Sequence, residues 1–140
     1  MDESIVTPEF QALRAGQALP PLDLPPVSRA ALARYAGASG DHNPNHIDID
    51  AARAAGHGDV FAHGMLVMAW LGRLLTNWVP HERIRAFDVR FHGITRVGDR
   101  ITCSGEITDM DQAARVVNVA LEARDQHGDL KAAGKATIAF

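Results

Sequence analysis

"MLVMAWLGRLLTNWV", residues 65–79, carries apolar side chains on almost every face, and only Arg73, Thr76 and Asn77 form a polar stripe at helical spacing. A helix that is apolar nearly all round has to be enclosed by the rest of the chain. After Pro80 the apolar period changes to two, in the groups Phe87, Val89, Phe91; Ile101, Cys103, Ile107; Val117, Val119, Leu121; and Ala136, Ile138, Phe140. This alternation predicts four strands. Gly98-Asp99 and the stretches 109–113 and 125–129 supply turn residues between them, so consecutive strands are expected to pair antiparallel. One enclosed helix followed by an antiparallel sheet is an α+β domain in which the sheet wraps the helix.

Upstream of the helix the elements are short. "LPPLDLPPVS" (19–28) is too rich in proline for a helix and suits an edge strand or extended arm. "SRAALARYAG" reads as a helix with Ser28 as N-cap, Leu32 and Tyr35 on one side and Gly37 as the stop. "DIDAARAAG" (48–56) reads as another, opening at Asp48 or Asp50 and closing at Gly56 or Gly58.

At 140 residues the chain fits a single domain, 1–140, with 1–18 a candidate N-terminal extension. A domain of that size buries roughly 70% of its unfolded surface, enough for a core of its own. The first ten residues are acidic and lack a basic and then apolar leader, so no secretory signal is expected. The longest apolar stretch is shorter than the roughly 20 residues a membrane span needs and contains Arg73. Cys103 is the single cysteine, which excludes an internal disulfide and fits a reducing cytoplasm; its place in an alternating run makes it a small core residue. Net charge is −3, an acidic balance with no aromatic-basic motif, which argues against nucleic acid. The middle of the chain is nevertheless basic: Arg83, Arg85, Arg90, Arg96 and Arg100 either meet an anionic ligand tail or form a solvated face with Glu82, Asp88 and Asp99.

The densest polar equipment lies just before the apolar helix, in "SGDHNPNHID" (39–48). Three readings compete. As a metal site, Asp41, Asn43 and Asn45 copy the opening of an EF-hand loop, but its sixth and twelfth positions hold His46 and Ala52 instead of glycine and glutamate. Zinc has His42 and His46 four apart, with Pro44 between them breaking the helical geometry that aims two imidazoles at one ion; no metal and no cofactor are expected. As plain structure, Asp and Asn around a proline make Asx turns. As a catalytic site, Asp41 and His46 lie five apart across a proline-fixed bend. Gly64, opening the apolar helix after His63, offers an unpaired backbone N–H that no Cβ shields. An acid-base pair beside an oxyanion donor is a catalytic set.

"YAGASGDHNPNHID" (35–48) followed by "FAHGMLVMAW" (61–70) resembles the MaoC-like dehydratases, the (R)-specific enoyl-CoA hydratases, whose motif is a tyrosine, a small-residue stretch and then G-D-x-N-P-x-H. The chain is also similar to the mycobacterial fatty-acid-synthase dehydratase subunits of that family. The resemblance covers essentially the whole chain. It implies a hot-dog fold and a homodimer or higher oligomer, with a heterodimer as the variant, and an acyl thioester of CoA or acyl carrier protein entering near the subunit contact. The residue before the motif histidine, usually aliphatic, is here Asn45.

Hydration of a trans-2-enoyl thioester needs a water activated at C3, a proton delivered to C2 and a donor to the charged thioester oxygen. Asp41 is assigned to the water, His46 to share it and pass the proton, and Gly64 N–H to the oxygen. Asn43, His63, Met65 and Tyr35 are the expected substrate-side residues, although Asn43 also suits closing the turn, His63 donating to backbone at the helix start, and Tyr35 and Met65 packing. Two alternatives stay open: a hot-dog thioesterase, and a non-catalytic subunit of a heterodimeric dehydratase.

Overall fold

The structure is a computed structural model and describes residues 6–140. Helices α1 (Arg29–Ser39), α2 (Ile49–Ala54) and α3 (Gly64–Thr76) precede strands β2 (Ile84–Phe91), β3 (Thr102–Asp111), β4 (Val116–Arg124) and β5 (Leu130–Ala139), while a two-residue strand β1 (Leu22–Asp23) comes first in the chain. The five strands form one curled antiparallel sheet in the order β1-β3-β4-β5-β2, packed around α3. This is the hot-dog fold.

Helix α3 is placed by its buried face. Val67, Leu71, Leu74 and Leu75 are at most 3% exposed and pack against Ile107, Val117, Val119, Leu121 and Ile138 of the sheet. Each such burial contributes about 1.5–3 kcal/mol relative to exposure, so this face alone fixes how the helix lies. Enclosure is less complete than the sequence predicts: Met65, Ala69 and Arg73, four residues apart, form a stripe open to solvent.

Three of the four predicted strands pair with their sequence neighbours, but β2 does not pair with β3. It pairs with β5, in a register that sets Phe87 opposite Ala136 and Val89 opposite Gly134. Residues 92–101 cross to the far side of the sheet, and β3 joins β4 there. The Gly98-Asp99 signal is genuine turn chemistry, with Gly98 at φ 92° and Asp99 Oδ2 accepting from Arg96 N, but the turn bends a crossing loop rather than a hairpin.

The proline-rich segment supplies β1 at the sheet edge, pairing Leu22 with Cys103. Phe10 and Leu13, within the stretch expected as an extension, are buried in the main core; residues 1–5 of that stretch lie outside the described residues. Helix α1 starts where predicted, Ser28 Oγ accepting from Ala31 N, but it runs through Gly37 and ends at Gly40, whose φ of 78° makes it the true stop. Among the described residues no helix is long and apolar enough to cross a membrane.

Cys103 faces the core at 0% exposure, and burial pushes its thiol up to about 12. A thiolate is the reactive form, so the native protein is expected to resist maleimide and to yield one reactive thiol only after denaturation. Stoichiometric labelling of the folded protein would contradict that placement.

Candidate active site

The polar turn consists of consecutive side-chain-to-backbone closures. Ser39 Oγ accepts from Asp41 N (3.1 Å), Asp41 Oδ1 from Asn43 N (3.2 Å), and Asn43 Oδ1 from Asn45 N (3.1 Å). Pro44 then opens a single 3-10 turn, Pro44–His46, and Asp48 Oδ1 caps α2 through Asp50 N and Ala51 N. Each Asx or Ser closure satisfies a backbone donor locally, which helps the segment hold its shape between α1 and α2. Asn43 is therefore employed in the turn itself.

The bend carries His46 inward and leaves Asp41 at the surface. His46 is 8% exposed, and its Nδ1–H donates to the Phe61 carbonyl at 2.7 Å. A carbonyl only accepts, so Nδ1 bears a hydrogen and Nε2 is the ring nitrogen left free of the Phe61 bond. His63 is fully buried, and its Nε2–H donates to the Asp41 carbonyl at 3.2 Å. A carboxylate oxygen of Asp41 and one ring nitrogen from each of His46 and His63 lie within 4.8 Å of one another.

The segment from Phe61 to Gly64 positions these groups. Phe61 N donates to the Asn45 carbonyl at 3.3 Å and Ala62 N to the Thr95 carbonyl at 2.8 Å, so the strand-like lead into α3 is held between the polar turn and the 92–101 loop. Asn45, the departure from the motif, meets this lead through its backbone. Gly64 begins α3; the His63 side chain makes no capping bond, and Gly64 N–H makes no hydrogen bond among the described residues. A Cβ at Gly64 would stand 3.4 Å from the Phe91 ring, so the Phe91 side chain lies directly beside that amide.

Tyr35 packs edge-on to His63, ring centroids 4.8 Å apart. Met65 is 53% exposed and Phe91 48%, both beside the helix start. His42 is exposed. Sequence reasoning did not anticipate Phe61, whose carbonyl sets the His46 tautomer; a backbone acceptor leaves no trace in residue type. It also gave no sign that the His46 and His63 rings stack, with centroids 4.0 Å apart and planes at 29°.

A carboxylate and two imidazoles form a donor set that divalent metals accept. The stack argues against that use, because nearly parallel rings hold their in-plane lone pairs side by side instead of aiming them at one centre. One His63 nitrogen is also already engaged with the Asp41 carbonyl.

Burial, above all, holds His63 below the ordinary histidine range, and the neighbouring His46 adds to the effect. The sign follows from linkage. Unfolded His63 takes up a proton near its ordinary value of about 6.5 while folded His63 resists, so its contribution is intact above that pH and lost as pH falls below it. The melting temperature is expected to drop between about pH 7 and 5, and His63→Gln to flatten that drop; an unchanged slope would contradict the assignment.

A curled sheet around one helix, with a carboxylate, two imidazoles and a helix-start amide gathered at one end of that helix, defines a hot-dog protein. The chain belongs to the MaoC-like dehydratase family: the family model described as MaoC like domain matches residues 14–127. The solved (R)-hydratase from A. caviae involved in PHA biosynthesis superposes with a TM-score of 0.84 at 26% identity, covering 93% of this chain and 98% of that one. A UPF0336 protein of Streptomyces avermitilis is 31% identical over 125 residues, 81% of this chain and 83% of that protein. The Mycobacterium tuberculosis HadBC complex, a 3R-hydroxyacyl-ACP dehydratase, shares the fold at a TM-score of 0.68 and 18% identity, covering 88% of this chain and 95% of that one.

Proposed function

We propose that the protein is a hydro-lyase that reversibly hydrates trans-2-enoyl thioesters, or dehydrates (3R)-3-hydroxyacyl thioesters, of CoA or acyl carrier protein. The observation that carries this reading is the convergence of the Asp41 carboxylate and the His46 ring within 4.8 Å, with His46 Nδ1 engaged by the Phe61 carbonyl so that Nε2 is the nitrogen free to handle a proton. Two acceptors at that separation suit one water between them. Asp41 and His46 hold it; as its oxygen bonds to C3 the proton it loses passes to His46 Nε2, and His46 returns that same proton to C2. The electron pair of the C2–C3 double bond passes toward the thioester carbonyl, whose oxygen gains negative charge opposite Gly64 N–H. A preorganised donor of that kind is worth about 10²–10³ in rate. Dehydration is the same path reversed.

The acyl chain enters past Met65 and Phe91, whose exposed apolar surface lies beside the free edge of β2. An unpaired edge flanked by apolar side chains invites a second hot-dog domain, so the working unit is a homodimer or a heterodimer with a related subunit, formed in a reducing cytoplasm. Tyr35 lines the site from α1.

The test uses crotonyl-CoA. Loss of the enoyl absorbance without release of free thiol is the expected result. Thiol release would replace the reading with a thioesterase, and an inactive chain that gains hydration only on addition of a second subunit would assign it the partner's role.

A further inference from the structure

The proton chemistry leaves His63 without a task, yet His63 touches every part of the site. Its ring is 0% exposed, stacked on His46 at 4.0 Å and edge-on to Tyr35 at 4.8 Å, and the next residue is Gly64. Its one hydrogen is given to the Asp41 carbonyl at 3.2 Å, and the opposite nitrogen, Nδ1, is a buried lone pair with no partner among the described residues. A ring held this way has no free proton to donate. It does connect the backbone of one dyad member, the face of the other and the first residue of α3.

We propose that His63 is a positioning residue, a neutral imidazole that ties the Asp41 turn to the start of α3 and gives His46 a flat surface to stack on. The carboxylate, the imidazole and the Gly64 amide then keep one fixed spacing. The inference rests on the hydro-lyase reading of the site. The titratable groups facing the ring are Tyr35 from α1, Asp41 from the turn and His46 from the 3-10 turn. A cation at His63 would repel the proton that His46 has to carry, so neutrality is part of the function. Catalytic geometry is steep in distance, with a misplacement of about 1 Å costing on the order of 10² in rate.

Two measurements test this. The first does not depend on activity: nitrogen-15 spectra of the imidazoles between about pH 5 and 8, the range where histidines ordinarily titrate. The expected result is one ring, identified by its loss in His63→Gln, that stays neutral with its hydrogen on Nε2. A ring that becomes charged, or carries its hydrogen on Nδ1, overturns the proposal.

The second is steady-state hydration of crotonyl-CoA. His63→Ala is expected to lower kcat at least about tenfold with KM within about threefold, and His63→Gln, whose amide nitrogen can still reach the Asp41 carbonyl, to recover most of that loss. Both limbs of the wild-type pH profile should survive in His63→Gln. A missing limb would make His63 an acid or base in its own right, and wild-type kcat with only a lower melting temperature would make it merely structural; either overturns the proposal. Should His63→Ala fail to fold, the glutamine variant and the spectra decide. Should the wild type not hydrate enoyl thioesters at all, the hydro-lyase reading fails and the spectra alone judge the placement of His63.

Discussion

Asp41→Asn and His46→Asn are each expected to lower the turnover of crotonyl-CoA by at least about 10², the scale of a positioned acid or base. Both substitutions are chosen to keep what holds the site together. In Asp41→Asn the side-chain oxygen that accepts from Asn43 N is retained, so the Asx closure survives while the ability to take a proton is lost. In His46→Asn the amide nitrogen replaces Nδ1 as donor to the Phe61 carbonyl, and only the Nε2 side of the ring disappears. Glutamine at 46 would be a poorer choice, because leaving that partly buried carbonyl without its donor costs up to about 1–3 kcal/mol and would mix folding with chemistry. Stopped-flow or steady-state rates, read beside circular dichroism melts, separate the two. Wild-type turnover in either variant removes the dyad from the mechanism.

Gly134→Ala is expected to destabilise the protein by about 3 kcal/mol or more, the upper end of what overpacking costs. The reason is local: a Cβ at Gly134 would lie 2.0 Å from the Asp88 carbonyl oxygen and 3.0 Å from Val89 Cα, both backbone atoms of the neighbouring strand. Backbone cannot swing aside as a side chain can, so β2 must part from β5 where Val89 faces Gly134. Gly37→Ala is the matched control. It lies inside α1 with nothing within 4 Å of the added methyl, so removing glycine's excess freedom there stabilises by about 0.5–1 kcal/mol. Urea titrations of the two variants should move in opposite directions; equal midpoints would refute the packing argument.

What the sequence made visible follows from the range of the interactions involved. The enclosed helix and the four long strands declare themselves through periodicity, a property of side chains a few residues apart. The order of the strands does not, because Gly98-Asp99 bends a chain equally well whether the next strand pairs beside the last or across the sheet. The exchange of β3 for β5 as the partner of β2 is decided by packing around α3. In the site, Asp41 and His46 were legible because a proline turn brings them together within six residues. The bonds that orient them were not: Phe61 is 15 residues from His46, and His63 is 22 from Asp41. Both bonds end on carbonyls, which every residue has. Gly37 misled for a related reason, since glycine is common where a helix stops, and only the left-handed backbone at Gly40 shows which of two nearby glycines ends it.

The pairing of β2 with β5 joins Ile84 to Ile138 and sets when, during synthesis, the molecule can close. A ribosome that has delivered everything through β4 has made the central helix and most of the wrapping sheet, yet β2 can only lean on α3 and still has no strand to pair with. Contacts between distant parts of a chain form slowly, and an unpaired strand is sticky while it waits. The nascent chain therefore passes through an interval of vulnerability that ends only when the fifth strand arrives, which makes that interval the point at which a chaperone would matter most.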